Sequence, residues 1–324
     1  MILNSLIIGC GEIGAFYDKP GDSKVLTHAN AYYKNKNYKL VGFVDLNIEK
    51  AKMAAEIWEC KYYSSIKNAF KKNTINIVSV CVPEKFHYDV LLELSQYNGI
   101  FVFTEKPYTT NVNDAVDITN ILTKNNISCS INFKRNFIPE FKNFFRDFKN
   151  NKYGEFNFGV CYYNRGFIHN GSHVISILNE LFSTTKIDVL NKFEQVNDYE
   201  NDPSHSFLVR FNNDFNFLFK TFNNENYPIF ELDFHFKNAR VRIKDLGKTM
   251  EIYKKKKNKI FENFSFIELD KVISTKLEST LDYSLSNIYN HIINNEKLVS
   301  SAFDAVQVMK IISKIKYQLK WKAN

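Results

Sequence analysis

Cysteine is scarce in this chain and unpaired: Cys10, Cys60, Cys81, Cys129 and Cys161 are the five present, and no two stand in a C-x-x-C spacing. An odd count without that spacing argues against both a disulfide framework and a thiolate zinc site, so no metal is predicted. Cys81 and Cys129 lie inside apolar strand-like runs, where a free thiol behaves as a small buried hydrophobe, and this usage fits a reducing cytoplasm. Long hydrophobic runs are missing as well. No stretch approaches the roughly 18 to 20 apolar residues that cross a bilayer, and the first residues, MILNSLIIGCGE, have no basic region ahead of a run that Asn4 interrupts. Neither a membrane partner nor a signal peptide is predicted. Internal repeats and flexible linkers are absent too. Clustered positive charge is confined to Lys254–Lys257 in YKKKKNK, read as a hairpin cap, so the net charge of +8 is otherwise dispersed. Dispersed lysines argue against a nucleic-acid partner, while a mildly basic surface still attracts phosphorylated or carboxylated small molecules.

What is present is a chain of 324 residues, 44% hydrophobic and 24% charged. That length suggests two globular domains. Leu6–Ile8, Leu40–Val44, Ile77–Val82, Ile100–Phe103 and Ile127–Ile131 are short apolar runs separated by longer amphipathic stretches. Strands alternating with helices imply right-handed crossovers and a doubly wound parallel sheet, assigned to residues 1–130. Beyond Asn132 the pattern changes to successive strands joined by Asn/Asp/Gly turns, from Glu155–Tyr163 through Phe264–Leu269, with helices at Pro139–Asp147, Gly171–Leu181 and Leu277–Asn294. Residues 131–324 are therefore read as an α+β domain whose mostly antiparallel open sheet is covered by helices on one face. A last amphipathic segment, 299–318, can pack back on either domain.

The first strand runs into GCGEIG, in which Gly9, Gly11 and Gly14 have the G-x-G-x-x-G spacing. In such a turn the first glycine permits the bend, the second lets backbone approach a pyrophosphate, and the third allows close helix packing. Glu12 and Ile13 open the following helix, where unpaired N–H groups favour an anion. Asp45 ends the second strand, LVGFVD, placed to accept ribose hydroxyls and to repel a 2′-phosphate, so NAD is favoured over NADP. Asp45 stands 31 residues beyond Gly14, against about 20 in the ordinary fingerprint. The stretch Phe16–Leu26, with Pro20 and Gly21, thus reads as an insertion that breaks the first helix before THANAYYK resumes it.

Three further segments join this turn in order: CVPEKFHYDVL (Cys81–Leu91), FTEKPYTTN (Phe103–Asn111) and NRGFIHNGSHVISIL (Asn164–Leu178). With them the chain resembles the glucose-fructose oxidoreductase and inositol dehydrogenase family, Gfo/Idh/MocA. The resemblance implies that Lys106 is catalytic, that Glu105, Val82, Pro83 and His87 lie by the cofactor, and that His173 is a second catalytic group. It also makes a cis Lys106–Pro107 bond plausible. Family members typically carry an acid four residues before this histidine and often another three after, whereas His169 and Ser176 stand there.

Oxidation of a sugar alcohol sends a hydride to nicotinamide and a proton elsewhere, so an ammonium near the oxygen and a group that titrates near neutrality suit it. Lys106 and His173 are those groups. Arg135 and Arg165 can clamp a carboxylate or phosphate, and Tyr163 and His169 complete the predicted substrate residues. The expected protein is an NAD-dependent dehydrogenase or reductase of sugars or nucleotide-sugars, a homodimer or homotetramer. A non-catalytic NAD- or sugar-binding sensor on the same fold is the alternative.

Overall fold

The computed structural model describes residues 1–212, 214–261 and 263–320. It divides into two compact units: Met1–Phe137 with Glu278–Met309, and Ile138–Leu277 with Lys310–Asn324. In the first, six parallel strands are ordered β3-β2-β1-β4-β5-β6: β1 (Leu3–Ile8), β2 (Tyr38–Val44), β3 (Lys61–Tyr63), β4 (Ile77–Val80), β5 (Phe101–Thr104) and β6 (Ser128–Ile131). This is the doubly wound nucleotide-binding order, with its switch point between β1 and β4. Strands β4 and β5 are buried along their whole length, as mainly apolar strands of a sheet covered on both faces should be.

The connecting helices start where the sequence supplies a cap. Thr27, Asn47, Ser65 and Asn111 accept backbone N–H bonds at the starts of α1 (His28–Lys34), α2 (Ile48–Ile57), α3 (Ile66–Lys72) and α5 (Val112–Lys124), each worth about 1 kcal/mol. The helix α4 (His87–Leu94) begins instead from a short 3-10 turn over Glu84–Phe86. After the glycine turn the chain makes only one wide π turn, Glu12–Phe16, and regular helix resumes at His28. The intervening loop is held from inside: buried Asp18 accepts from the Leu26 amide at 2.6 Å, from Asn30 Nδ2 at 2.8 Å and from the Thr27 hydroxyl.

Two assignments from sequence change. The boundary expected at 130/131 falls at 137/138, because the turn after β6 stays buried in the first unit. The helix expected to flank the second sheet is α8 (Thr280–Asn294), and it belongs to the first unit. Its Leu281, Leu285 and Ile288 share a core with Leu3, Tyr32, Tyr38 and Phe101, and the Tyr38 hydroxyl donates to the Leu285 carbonyl at 2.7 Å. Periodicity reveals such an apolar stripe but not which surface it covers. The last helix, α9 (Ala302–Gln318), is divided, with Ala302–Met309 in the first unit and the rest in the second.

The second unit is an eight-stranded sheet ordered β14-β13-β12-β11-β7-β10-β9-β8, formed by β7 (Phe156–Tyr163), β8 (Ile187–Val196), β9 (Ser204–Phe211), β10 (Phe215–Thr221), β11 (Phe230–Phe236), β12 (Ala239–Lys244), β13 (Thr249–Lys257) and β14 (Ser265–Ser274). All neighbours are antiparallel except β7 and β10. Strand β8 gave no alternating signal, since most of its side chains are exposed. Phe144 and Phe148 of α6 (Pro139–Lys149) and Phe182 of α7 (Ser172–Phe182) pack on Phe156, Phe215, Phe234 and Phe236 of the sheet. The lysine run lies along β13 beside the hairpin turn and faces acids on β14: Lys254 meets Asp270 at 3.0 Å and Lys256 meets Glu268 at 3.8 Å.

Candidate functional site

The C-terminal ends of the parallel strands gather the predicted residues of the first unit. At Gly9, with φ +97°, an added Cβ would meet the Cys81 carbonyl carbon and the Val82 nitrogen, each at 2.6 Å, and at Gly14 it would overlap the Gly9 carbonyl oxygen. Both positions need glycine to close the turn, with or without a ligand. Gly11 differs: nothing lies within 4 Å of its missing side chain. That open space is where a pyrophosphate would approach, beside first-turn amides at Gly11, exposed Glu12 and half-buried Ile13 that have no intrahelical acceptor. Asp45 is tied to the same turn. Its Oδ2 accepts the Cys10 N–H at 2.7 Å and its Oδ1 accepts the Asn47 N–H at 2.8 Å, which leaves further lone pairs on the carboxylate for ribose hydroxyls. These residues fit a dinucleotide.

Lys106 follows β5 by two residues and is half-buried, and the Lys106–Pro107 peptide is cis. Glu105 beside it accepts on Oε1 from His28 Nε2 at 3.1 Å and from Asn132 Nδ2 at 2.6 Å, and on Oε2 from the Lys106 amide at 3.3 Å. Burial alone would raise this carboxyl, but His28, Asn132 and Lys106 outweigh it and hold the group down to about 2. Val82 is half-buried and Pro83, exposed, caps the turn that leads to His87. His87 itself is buried, with Nδ1 2.9 Å from the Pro107 carbonyl and Nε2 2.9 Å from that of Val82. Burial pushes its pKa down. Its ring clips the loop after β4 to the loop after β5 and presents neither nitrogen to a cofactor, which corrects the expectation of a cofactor contact. Arg135 stands in a short 3-10 turn after β6, where burial lowers its guanidinium to about 9.

The remaining predicted residues belong to the second unit. Tyr163 is fully buried, and its hydroxyl donates to the His205 carbonyl at 2.8 Å and accepts the His205 N–H at 2.9 Å. It is a packing residue, not a pocket residue, because pairing of β7 with β10 and β11 turns it inward; Tyr162 takes the outer face. Arg165 is exposed, and its amide donates to Asp198 Oδ2 at 2.6 Å. A wide turn over Phe167–Gly171 leads into α7, and Asp202 accepts the amides of Ile168 at 2.9 Å and His169 at 2.7 Å. Burial raises Asp202 to about 6. The His169 ring stacks on Tyr199 with centroids 4.3 Å apart, and buried His173 stands edge-on to Phe230 at 6.3 Å.

Residues 3–133 match the model of an oxidoreductase family with an NAD-binding Rossmann fold, Gfo/Idh/MocA. Over that stretch the chain is similar to the Gfo/Idh/MocA oxidoreductases. No curated protein matches it in sequence. Solved structures of similar fold include UDP-N-acetylglucosamine 3-dehydrogenase from Acidithiobacillus ferrooxidans, 14% identical over 98% of each chain with a TM-score of 0.76. A 3-ketoreductase from Actinomadura kijaniata, solved with TDP-benzene and NADP, is 11% identical over 98% of each chain with a TM-score of 0.77. An oxidoreductase from Agrobacterium radiobacter, solved with NAD+, L-tartaric acid and magnesium, is 11% identical over 99% of this chain and 97% of its own, with a TM-score of 0.76. At such identities the likeness concerns the fold.

Sequence reasoning missed the polar residues behind Lys106. His28, Ser79 and Asn132 are buried and hydrogen-bonded to one another or to Glu105. Ser79 left a signal, as the one hydroxyl inside the apolar strand IVSV, since a buried polar group needs a partner. Asp198 and Asp202 left none, because the turn DYENDPS looks like any solvated loop. Among the described residues no helix is long and apolar enough to cross a membrane, and no group of three His, Cys, Asp or Glu side chains could hold a metal ion.

Proposed function

We propose that this chain is an NAD-dependent oxidoreductase that moves a hydride between nicotinamide and a carbinol carbon of a sugar or nucleotide-sugar. The carrying observation is the convergence, on one edge of the parallel sheet, of the two sterically obligatory glycines, the open space at Gly11, the Asp45 carboxylate and the Glu105–Lys106 pair. Asp45 supports NAD over NADP, because a carboxylate repels a 2′-phosphate a few ångströms away. A nicotinamide bound at this edge supplies the hydride acceptor or donor. Lys106 Nζ donates a hydrogen bond to the reacting oxygen and takes up or returns its proton, while ionised Glu105 keeps a compensating negative charge beside it. His173 is assigned the second proton-transfer role, and Arg165, Arg135 and His169 substrate binding. A cytoplasmic homo-oligomer completes the reading, supported by Phe266, Leu269 and Val272 exposed along β14.

The test is turnover and binding together. Purified protein screened against UDP- and TDP-sugars and inositols should generate NADH absorbance from NAD+ with at least one of them. Lys106→Met should then lower turnover by about 10²- to 10⁴-fold and leave the NAD+ dissociation constant nearly unchanged. A sensor would bind NAD+ and show no turnover to lose. Failure of the wild-type protein to bind either nicotinamide dinucleotide would overturn the reading.

A further inference from the structure

Behind Glu105 lies a buried line of polar groups that the chemistry above leaves unused. The Tyr32 hydroxyl is 2.7 Å from Ser79 Oγ, Ser79 Oγ is 2.9 Å from His28 Nδ1, and His28 Nε2 is 3.1 Å from Glu105 Oε1, where Asn132 Nδ2 also donates. Tyr32, Ser79, His28 and Asn132 are all buried. Three different elements supply them, α1, β4 and the segment after β6, and the His28 ring also packs on Phe103 of β5, with centroids 4.9 Å apart.

The protons of this line can be placed. Glu105 is ionised, so the nitrogen facing it carries hydrogen: Nε2–H donates to Oε1. A neutral ring then has a lone pair on Nδ1, which accepts the Ser79 hydroxyl, and Ser79 Oγ in turn accepts the Tyr32 hydroxyl. Every donor in the line has an acceptor in that arrangement. If His28 were cationic, Nδ1–H would donate to Ser79, Ser79 would donate to Tyr32, and the Tyr32 hydrogen would be left buried with nothing to bond, at a cost of about 1–3 kcal/mol. The line therefore selects the Nε2–H tautomer, much as a second group fixes a histidine that serves another.

We propose that His28 is a positioning residue of the hydride-transfer site: its Nε2–H, oriented by Ser79 and Tyr32, keeps the Glu105 carboxylate ionised and in one place beside Lys106. Glu105 Oε2 accepts the Lys106 amide, so anchoring this carboxylate also fixes the backbone from which the lysine side chain departs. The other titratable groups facing Glu105 are Lys106, which favours its charge, and Cys81 at the end of β4 and His87 of α4, whose own pKa values its charge raises. None of these three replaces the donor that His28 provides. The inference rests on the reading of Lys106 as the catalytic lysine, but its test does not need turnover.

The test follows the Glu105 carboxyl carbon by NMR in protein labelled with ¹³C-glutamate, the resonance being assigned by its loss in Glu105→Gln. In the wild-type protein it should stay at the carboxylate position from about pH 8 down to about pH 4, where ordinary glutamates titrate. In His28→Phe, which keeps ring volume against Phe103 and removes the donor, it should titrate within that range, its midpoint raised by about one to three units. His28→Gln, whose amide nitrogen can stand in for Nε2, should restore most of the wild-type behaviour. Ser79→Ala, which leaves the ring and frees the tautomer, should give a smaller rise and carries the test if His28→Phe does not fold. An unmoved resonance in His28→Phe, or equal rises in His28→Phe and His28→Gln, would mean that His28 only fills space and would overturn the proposal. Titration of bound NAD+ on the same samples separates the two readings: a protein that never binds it sinks the dehydrogenase assignment, whereas normal binding with an immobile resonance sinks only the role of His28.

Discussion

The two units solve the same problem, holding a buried histidine in place, by different means. In the first, His28 is fixed by hydrogen bonds to a serine and a carboxylate that stand at or near strand ends. In the second, His173 stands edge-on to Phe230, and the nearby acids Asp198 and Asp202 bind backbone amides of the turn before α7. The difference follows from sheet direction. In a parallel sheet every strand delivers its C-terminal end to one edge, so residues that follow strands converge without further instruction. In an antiparallel sheet successive strand ends alternate between edges, and which side chains meet depends on how each loop is shaped.

The comparison breaks most visibly at the glycine turn. Gly14→Ala would push a methyl into the Gly9 carbonyl, and because backbone cannot yield as a side chain can, it should cost about 3 kcal/mol or more and abolish NAD+ binding. Gly11→Ala faces open space and should leave the denaturation midpoint within experimental scatter while still weakening NAD+. Equal loss of stability in the two variants would show that the turn is purely structural. In the second unit the corresponding support is a side chain. Asp202→Ala leaves the amides of Ile168 and His169 without their acceptor and should cost about 2–4 kcal/mol, lowering turnover through the segment that carries His169 and His173. Urea denaturation and steady-state rates on the same preparations check it; a fall in stability without a fall in turnover would remove this turn from the functional account.

That contrast also explains what the sequence made legible. The alternation of apolar runs and amphipathic stretches, the glycine spacing, Asp45 and the Glu105–Lys106–Pro107 triplet each depend on neighbours within a few residues, and the first unit's architecture follows from them. The placement of α8 depends on a core partner more than 240 residues away in Tyr38, and no periodicity encodes that choice. The same holds for Tyr163: alternation along β7 put one tyrosine on each face, but only the pairing with β10 and β11 decided that Tyr163 turns inward and Tyr162 outward. His28 was invisible for a related reason, since its function lies in contacts to residues 51 and 77 positions away.

The smallest expected effect concerns pH, and it sharpens the comparison because two groups of the second unit oppose each other. Burial raises the Asp202 carboxyl from 3.8 to about 6. Between those values the folded state holds more protons than the unfolded, so this residue's contribution to stability falls as pH rises. His205, three residues further on, is lowered from 6.5 to about 4, first by burial and then by Lys192 and Lys316. Here the unfolded state holds more protons, so its contribution rises with pH through nearly the same window. Glu105 of the first unit, depressed to about 2 from 4.5, is ionised in both states only above about pH 5 and contributes stability that is lost as the pH falls through 4.5 towards 2. The wild-type stability should therefore vary little between about pH 5 and pH 6. His205→Gln should leave the Asp202 slope exposed, with a melting temperature that falls on going from pH 5 to pH 6. Asp202→Asn should do the opposite, starting from a lower stability and gaining as pH rises. Parallel pH profiles in all three proteins would mean that neither group changes its proton affinity on folding, and the opposition drawn here between them would be lost.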